Sequence, residues 1–540
     1  MLKFFHHSVY LLILLFPALL TGGLLAFVGN AADGVRLGCL SLLGCAIFYY
    51  AVKRQSKLLY TLTVMWWLIF WFDSVLRATS WFLFDSDTNA YFIMQAIANT
   101  TPHETLEFLQ THRLNLIMLV VLLSIVTLAY FFYLFKYFTK QHLNALLQQK
   151  FSRSLIILCS ITMITSYAMR PARALFPVLY WQNYYAEIQN FQDEILKHKD
   201  LQQQWAQYAR NNLVYQKNFQ QQQTHVLVLS ESITSLNMGV CGYDRETTPE
   251  LKKRLDQLYV FCRAYSPYPS TINSLKVNLT NSSAILPNDE PTESLISYAE
   301  AAGFKVYWLS NQDDSYISSL FGSDATTHFY NNKRSGRSSQ ALDEQLLPVY
   351  FDALADPHPK KLIILHLIGA HPNYAARYPV KFDHFNDDNN DETESLMEAN
   401  QIGLWVQSKR NQYDNAILYQ DWLLSQLFDP LQRNTALGQR SFIFLSDHGN
   451  EVGHELDYAG HSPNTIAGYQ VPVIVWHNQM KLHGINTKDI IDTAKLDTNL
   501  MHLMGIRDKN DHPQLFWLEP NYQFKPNSAW PYWQKKVSPS

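Results

Sequence analysis

Residues 441–449 read Ser-Phe-Ile-Phe-Leu-Ser-Asp-His-Gly. The run Ser441–Leu445 has the length and apolar character of a buried strand, and it closes on an Asp-His-Gly turn. The same form recurs upstream. His225–Leu229 (HVLVL) ends in Ser-Glu-Ser, Lys305–Leu309 (KVYWL) in Ser-Asn-Gln, and Lys361–Leu367 (KLIILHL) in Ile-Gly-Ala-His. Val471–Trp476 (VPVIVW) is a further run. Stretches of helical character lie between them at 249–260, 292–302 and 411–428. Strands alternating with helices predict an α/β domain over residues 224–540, with a mainly parallel central sheet covered on both faces. Ligands of such sheets bind outside the carboxyl ends of the strands. Three runs deliver metal-type side chains there: Glu231, His371, and Asp447 with His448.

Toward the N-terminus the chain changes character. Of its 540 residues 47% are apolar and 14% aromatic, yet the mean hydropathy is only −0.15. The apolar residues must therefore be concentrated. Residues 8–28 carry no charge and are long enough to cross about 30 Å of hydrocarbon. They exceed the apolar core of a cleaved signal peptide. Similar runs at about 35–52, 58–76, 114–135 and 154–169 predict a transmembrane domain of five spans over residues 1–172. Lys3, the group Lys53, Arg54 and Lys57, and the group Lys136, Lys140, Lys150 and Arg153 fall at the start and in alternate connections. Positive connections face the cytoplasm, so an odd number of spans places the α/β domain on the opposite side. Residues 173–223, aromatic and then Gln-rich, are expected to form amphipathic linker helices on the membrane surface. Asn386–Glu394 reads as a solvated acidic loop. Lys plus Arg is 43 against 46 Asp plus Glu, a net charge of −3, which excludes a nucleic-acid binder working by bulk positive charge. Five cysteines exclude a disulfide-built scaffold.

A carboxylate beside an imidazole suits a borderline cation such as zinc. Asp447–His448 alone reads as an ordinary turn; with Glu231, His371 and His461 it becomes a constellation. A nucleophile is sought in Ser266–Ser274 (SPYPSTINS), after the apolar Leu258–Cys262. Composition does not separate Ser270, Thr271 and Ser274, any of which could cap a helix. A divalent cation at a hydroxyl oxygen lowers its pKa and makes it a nucleophile.

Taken in order, Glu231, Gly242–Pro249 (GYDRETTP), Thr271–Ser274 (TINS), His366–Pro372 (HLIGAHP), Tyr413–Tyr419 (YDNAILY) and Ser446–Gly449 with His461 resemble the membrane phosphoethanolamine transferases of Gram-negative bacteria. That family modifies lipid A and lipopolysaccharide core and belongs to the alkaline-phosphatase and sulfatase superfamily. The resemblance covers nearly the whole chain. It implies a multi-pass protein of the bacterial inner membrane with a sulfatase/alkaline-phosphatase-like domain in the periplasm. It implies Thr271 as the nucleophile that takes phosphoethanolamine from phosphatidylethanolamine, giving a phospho-threonine intermediate. Glu231, Thr271, Asp447 and His448 are then the ligands of a catalytic Zn2+. His371 and His461 would bind phosphoryl oxygens, a second metal or the leaving group. His366 fits the motif as a strand-packing or supporting residue. Thr100 and Glu104 match donor-lipid contacts of the family, although Ala96 stands where an Asn is expected and Asn99 or Gln95 would have to compensate.

The acceptor implied is a lipopolysaccharide core sugar or lipid A. No Lys closely follows Trp308–Gln312, unlike several lipid A-modifying members, and only Cys241 and Cys262 lie outside the spans, as one bridge or two thiols. Both features favour a core-sugar or other glycan acceptor over lipid A. A phosphoglycerol transferase acting on a periplasmic glycan is the alternative; it would keep the metal site and differ in Gly242–Pro249 and Tyr413–Tyr419. A sulfatase proper needs a Cys/Ser-x-Pro-x-Arg context, absent around Thr271. A catalytically inactive scaffold is disfavoured by the intact set Glu231, Thr271, Asp447 and His448.

Overall fold

The computed structural model describes residues 2–28, 31–84, 150–280, 293–312, 321–331, 341–386, 391–479, 485–510 and 516–520, with isolated positions at 113–132, 522 and 524. The chain divides into two compact units, residues 1–98 with 109–192, and 99–108 with 193–540.

The first unit is helical, with helices Leu2–Phe27, Ala31–Ser41, Leu43–Arg54, Lys57–Phe84 and Lys150–Ala168. Glycines bring the first two together: a Cβ on Gly22 would lie 2.6 Å from the Gly34 carbonyl oxygen, so only glycine permits this approach. Among the described residues two segments, Ala31–Arg54 and Lys57–Trp81, are long and apolar enough to cross a membrane. The helices Leu2–Phe27 and Lys150–Ala168 cover the runs expected at 8–28 and 154–169, and the expected span 114–135 lies, apart from isolated positions, outside the described residues. Of the five expected spans, those at 35–52 and 58–76 are thus matched by segments long and apolar enough to cross. The span expected at 58–76 continues to Phe84 and takes a buried Asp73–Arg77 ion pair inside it, at 3.1 Å. The Trp181 indole donates to Asp73 at 2.8 Å.

The strands of the second unit are β1 (Leu213–Tyr215), β2 (Gln223–Ser230), β3 (Tyr259–Tyr265), β4 (Lys305–Ser310), β5 (Thr327–Tyr330), β6 (Lys360–His366), β7 (Gln439–Ser446), β8 (Glu451–Val452), β9 (Ala459–Gly460), β10 (Gln470–His477), β11 (Ile491–Asp492) and β12 (Ile506–Asp508). Eight of them form one sheet, ordered β11-β3-β10-β7-β2-β6-β4-β5. Strands β7, β2, β6, β4 and β5 are mutually parallel, as the sequence predicts. β10 runs antiparallel to both β7 and β3, so the sheet is mixed. All eight residues of β2 are buried. Val226 and Val228 pack with Tyr413, Ile417 and Leu424 of the long helix Leu404–Arg433, and Leu227 and Leu229 on the opposite face are equally buried. Each such side chain contributes about 1.5–3 kcal/mol on leaving water.

Three expectations need correction. The helix expected at 249–260 is only Pro249–Lys252, because Tyr259–Tyr265 is claimed by pairing with β10. The linker expected at 173–223 is helical at Arg170–Arg173 and Pro177–Asn212, but Leu213–Tyr215 (β1) then pairs antiparallel with Ile506–Asp508 (β12). Asn386–Glu394 does not end as a solvated loop. Asp391 caps the helix Glu392–Ala399, and Asp391 and Glu394 both receive the buried Arg245 guanidinium; residues 387–390 lie outside the description.

Candidate active site

Parallel register decides where the chemistry collects. Ser230 of β2 stands beside Ser446 of β7, and Leu229 beside His366 of β6. The residues that follow these strands therefore emerge at one sheet edge, as the topology requires. Glu231 follows β2, Asp447 and His448 follow β7, and Leu367–His371 follows β6. The last loop is tied to β2: Leu367 N–H donates to the Leu229 carbonyl and Ala370 N–H to the Glu231 carbonyl, each at 2.9 Å. Gly369 makes this possible. Its φ is +55°, and an added Cβ would lie 2.5 Å from the Glu231 carbonyl oxygen. The buried Asp343 carboxylate accepts the amides of Ile368 and Gly369 and fixes the turn.

Metal-ligating atoms of Glu231, Asp447 and His448 all lie within 4.8 Å of one another, and so do those of Glu231, His371 and His461. His448 Nε2 is 3.1 Å from Glu231 Oε1 and 3.6 Å from Asp447 Oδ2. Its Nδ1 is 2.8 Å from the Gly449 carbonyl oxygen, which as acceptor places the proton on Nδ1 and leaves Nε2 as a ligand. Asp447 Oδ1 accepts the amides of Ser232 and His448, while Oδ2 is buried without a hydrogen-bond partner. An imidazole and two carboxylates, one of them with an unsatisfied buried oxygen, fit a zinc ion. The electrostatics agree. Burial, and then the Glu231 charge, push Asp447 up to about 8. Burial opposes charge on His448, but Asp447 and Glu231 raise it to about 9. Burial also opposes charge on Glu231, yet His448 and then His371 and His461 hold it well below the usual carboxylate range. The cluster calls for positive charge between its carboxylates.

Of the three candidate hydroxyls the fold selects one. Ser270 is the N-cap of the helix Thr271–Leu279. Ser274 is buried, its hydroxyl turned to Ser266 Oγ and the Tyr268 carbonyl. Thr271 opens the helix with its hydroxyl donating to Glu231 Oε2 at 2.9 Å, and 3.4 Å from His448 Nε2. The helix N-terminus favours negative charge at this oxygen. The His461 ring lies tilted beside that of His448, with centroids 4.5 Å apart, and the His371 ring lies 6.2 Å from that of His461. Burial, then His448, hold His461 well below its ordinary pKa, so it stays neutral.

The six residues Glu231, Thr271, His371, Asp447, His448 and His461 thus come together. His366 does not join them: it is buried against Trp308, and burial lowers it to about 4. Thr100 and Glu104 lie outside the described residues. Gln312 was missed by sequence reasoning. Its amide donates to Glu231 Oε2 at 3.3 Å and to the Leu367 carbonyl at 2.8 Å. The signal was present, since Gln312 follows a strand end as the other site residues do. Cys241 and Cys262 form a disulfide.

The remaining motifs are supports. From one helix, Asp414 accepts Tyr243, Arg245 and Asn237, Asn415 Oδ1 accepts the amides of His384 and Phe385, and Gln420 donates to Asp343. Tyr419 accepts the Glu344 amide.

A zinc-type cluster beside the first residue of a helix, Thr271, at one edge of this sheet defines an α/β phosphatase- or sulfatase-like arrangement. The sulfatase family model matches residues 223–506, and the chain belongs to that family. Among similar proteins, phosphoethanolamine transferase EptC of Escherichia coli is 30% identical over 326 residues, 57% of this chain and 55% of its own. Phosphoethanolamine transferase EptA of Helicobacter pylori is 32% identical over 260 residues, 47% of each chain. The chain spans about half the length of the curated relatives it matches. The crystal structure of the C-terminal periplasmic domain of E. coli EptC in complex with Zn is similar over 58% of this chain and 90% of that one, with TM-score 0.52 and 27% identity. The integral membrane protein lipooligosaccharide phosphoethanolamine transferase A of Neisseria meningitidis shares the fold over 93% of this chain and 97% of that one, with TM-score 0.58 and 19% identity.

Proposed function

We propose that this chain transfers phosphoethanolamine from phosphatidylethanolamine to a lipopolysaccharide acceptor, core sugar or lipid A, through Thr271. The observation that carries the reading is the Thr271 hydroxyl on Glu231, at a helix N-terminus beside Asp447 and His448. The phosphoethanolamine transferase names of EptC and EptA support the transferred group, and the zinc complex of the EptC domain supports the metal. Glu231, Asp447, His448 and Thr271 would hold the zinc, which supplies a Lewis acid that lowers the hydroxyl pKa and offsets phosphoryl charge.

The chain's own residues do the rest. Thr271 presents its oxygen to the donor phosphorus, with its proton directed at Glu231. A Thr271 O–P bond forms as the bond from phosphorus to the diacylglycerol oxygen breaks, and that oxygen leaves protonated. An acceptor hydroxyl then attacks the same phosphorus, the Thr271 O–P bond breaks, and the free threonine is restored. His371 and His461, beside Glu231, donate hydrogen bonds to the phosphoryl oxygens. The two long apolar helical segments support placement in the bacterial inner membrane, and the likeness to the periplasmic domain of EptC supports residues 193–540 on the periplasmic side.

The test is intact-mass analysis after incubation with phosphatidylethanolamine. A phosphoethanolamine adduct on Thr271 is expected, with transfer abolished and folding retained in Thr271→Ala. An adduct persisting in Thr271→Ala refutes the assignment.

A further inference from the structure

Three successive amides after Glu231 are each taken by a side chain from a distant part of the sequence. Ser232 N–H donates to Asp447 Oδ1 at 3.1 Å, Ile233 N–H to Ser446 Oγ at 2.8 Å, and Thr234 N–H to the Tyr413 hydroxyl at 2.8 Å. The Tyr413 hydroxyl in turn donates to the Ser232 carbonyl at 2.6 Å. One oxygen therefore closes both ends of the turn. Inside that turn Ser232 stands at φ +61°. A residue with a Cβ disfavours this region and keeps it only where the surroundings fix it. Ser232 Oγ also donates to Glu231 Oε1 at 2.8 Å, so the turn touches the carboxylate itself.

Asp447 and Ser446 belong to the β7 end that forms the site. Tyr413 comes instead from the helix Leu404–Arg433 and is fully buried. Burial holds its hydroxyl well above the ordinary range, so it keeps the proton it donates. Without that oxygen, a buried N–H and a buried C=O lose their partner together, and the left-handed Ser232 loses its clamp.

We propose that Tyr413 is a positioning residue, whose hydroxyl holds the Ser232 turn and so aims the Glu231 carboxylate at Thr271 and at the zinc. This rests on the zinc-site reading above. Tyr374 provides the control. Its ring meets that of Tyr413 edge to face with centroids 5.0 Å apart, and its hydroxyl accepts from Asn450 rather than from the turn.

The experiment is zinc titration against a competing chelator on full-length detergent-purified protein, with thermal unfolding of the zinc-free forms alongside. Tyr413→Phe should weaken zinc binding about 10- to 100-fold, the range for loss of a group that orients a ligand. Tyr374→Phe should keep wild-type affinity while losing comparable thermal stability. Wild-type affinity in Tyr413→Phe overturns the inference. So does an equal loss in Tyr374→Phe, which would make the effect one of general packing. Should Tyr413→Phe not fold, Thr234→Pro removes the amide that the Tyr413 hydroxyl accepts, at a φ of −89° that proline tolerates, and leaves the β7 contacts in place; weakened zinc binding supports the clamp and unchanged binding overturns it. Wild-type protein that binds no zinc defeats the zinc reading itself, a result distinct from these.

Discussion

Arg245 lies in the Gly242–Pro249 segment, almost wholly buried, with three carboxylates around it. Nη1 is 2.8 Å from Asp414, Nε 2.6 Å from Asp391 and Nη2 3.4 Å from Glu394. Asp391 and Glu394 keep some access to water and can be resolvated. Asp414 is fully buried, so Arg245→Met leaves its charge in the interior. Removing one partner of a buried pair costs about 3–5 kcal/mol, and that is the expected loss in urea unfolding of the detergent-solubilised protein at neutral pH. Burial already raises the Asp414 pKa, with Arg245 as the main opposing influence. Loss of the guanidinium therefore raises it further. A raised carboxylate pKa gives stability that is present in acid and lost as pH rises, so the deficit of Arg245→Met should shrink as pH falls. Asp414→Asn in that background should recover much of the deficit at neutral pH, since Tyr243 and Asn237 still have polar partners there. A deficit below about 1 kcal/mol, typical of an exposed pair, or no recovery in the double variant, would refute the reasoning.

Two further outcomes are expected. Asp421 accepts the amides of Glu250 and Leu251, and burial, with Glu250 adding to it, raises its pKa to about 7. The folded state then holds a proton that the unfolded state releases near pH 4, so stability falls as pH rises from there to about 7, by up to about 4 kcal/mol. Asp421→Asn removes the titrating group while keeping one of its two acceptor oxygens, so it should lower stability by a constant amount and flatten this slope in unfolding curves across pH 4–8; an unchanged slope rejects the assignment. The Cys241–Cys262 disulfide spans 21 residues, and opening it by the double Ser variant should cost about 3 kcal/mol. Equal urea midpoints for variant and wild type would contradict that.

The strands carrying the site were readable because each is a short apolar run with a polar group at its exit. β2, β4, β6, β7 and β10 all appear within about two residues of the sequence reading. Helical character misled at 249–260, where the apolar residues belong to a strand whose partner, β10, lies some 200 residues away. The antiparallel course of β10 was invisible for the same reason: apolar runs look alike in either direction. Gln312 was overlooked because an amide has no metal-type signature.

Residue pattern alone suffices to read an apolar, helical N-terminal part, strands alternating with helices beyond it, and acidic and imidazole side chains after the strand ends. Those are local properties of pattern and chemistry. Long-range packing was needed to settle which of Ser270, Thr271 and Ser274 faces Glu231, that Cys241 and Cys262 are joined, and that the Tyr413 hydroxyl bonds both ends of the Ser232 turn. Each depends on the distance between atoms tens to hundreds of residues apart, which sheet register and helix packing set together.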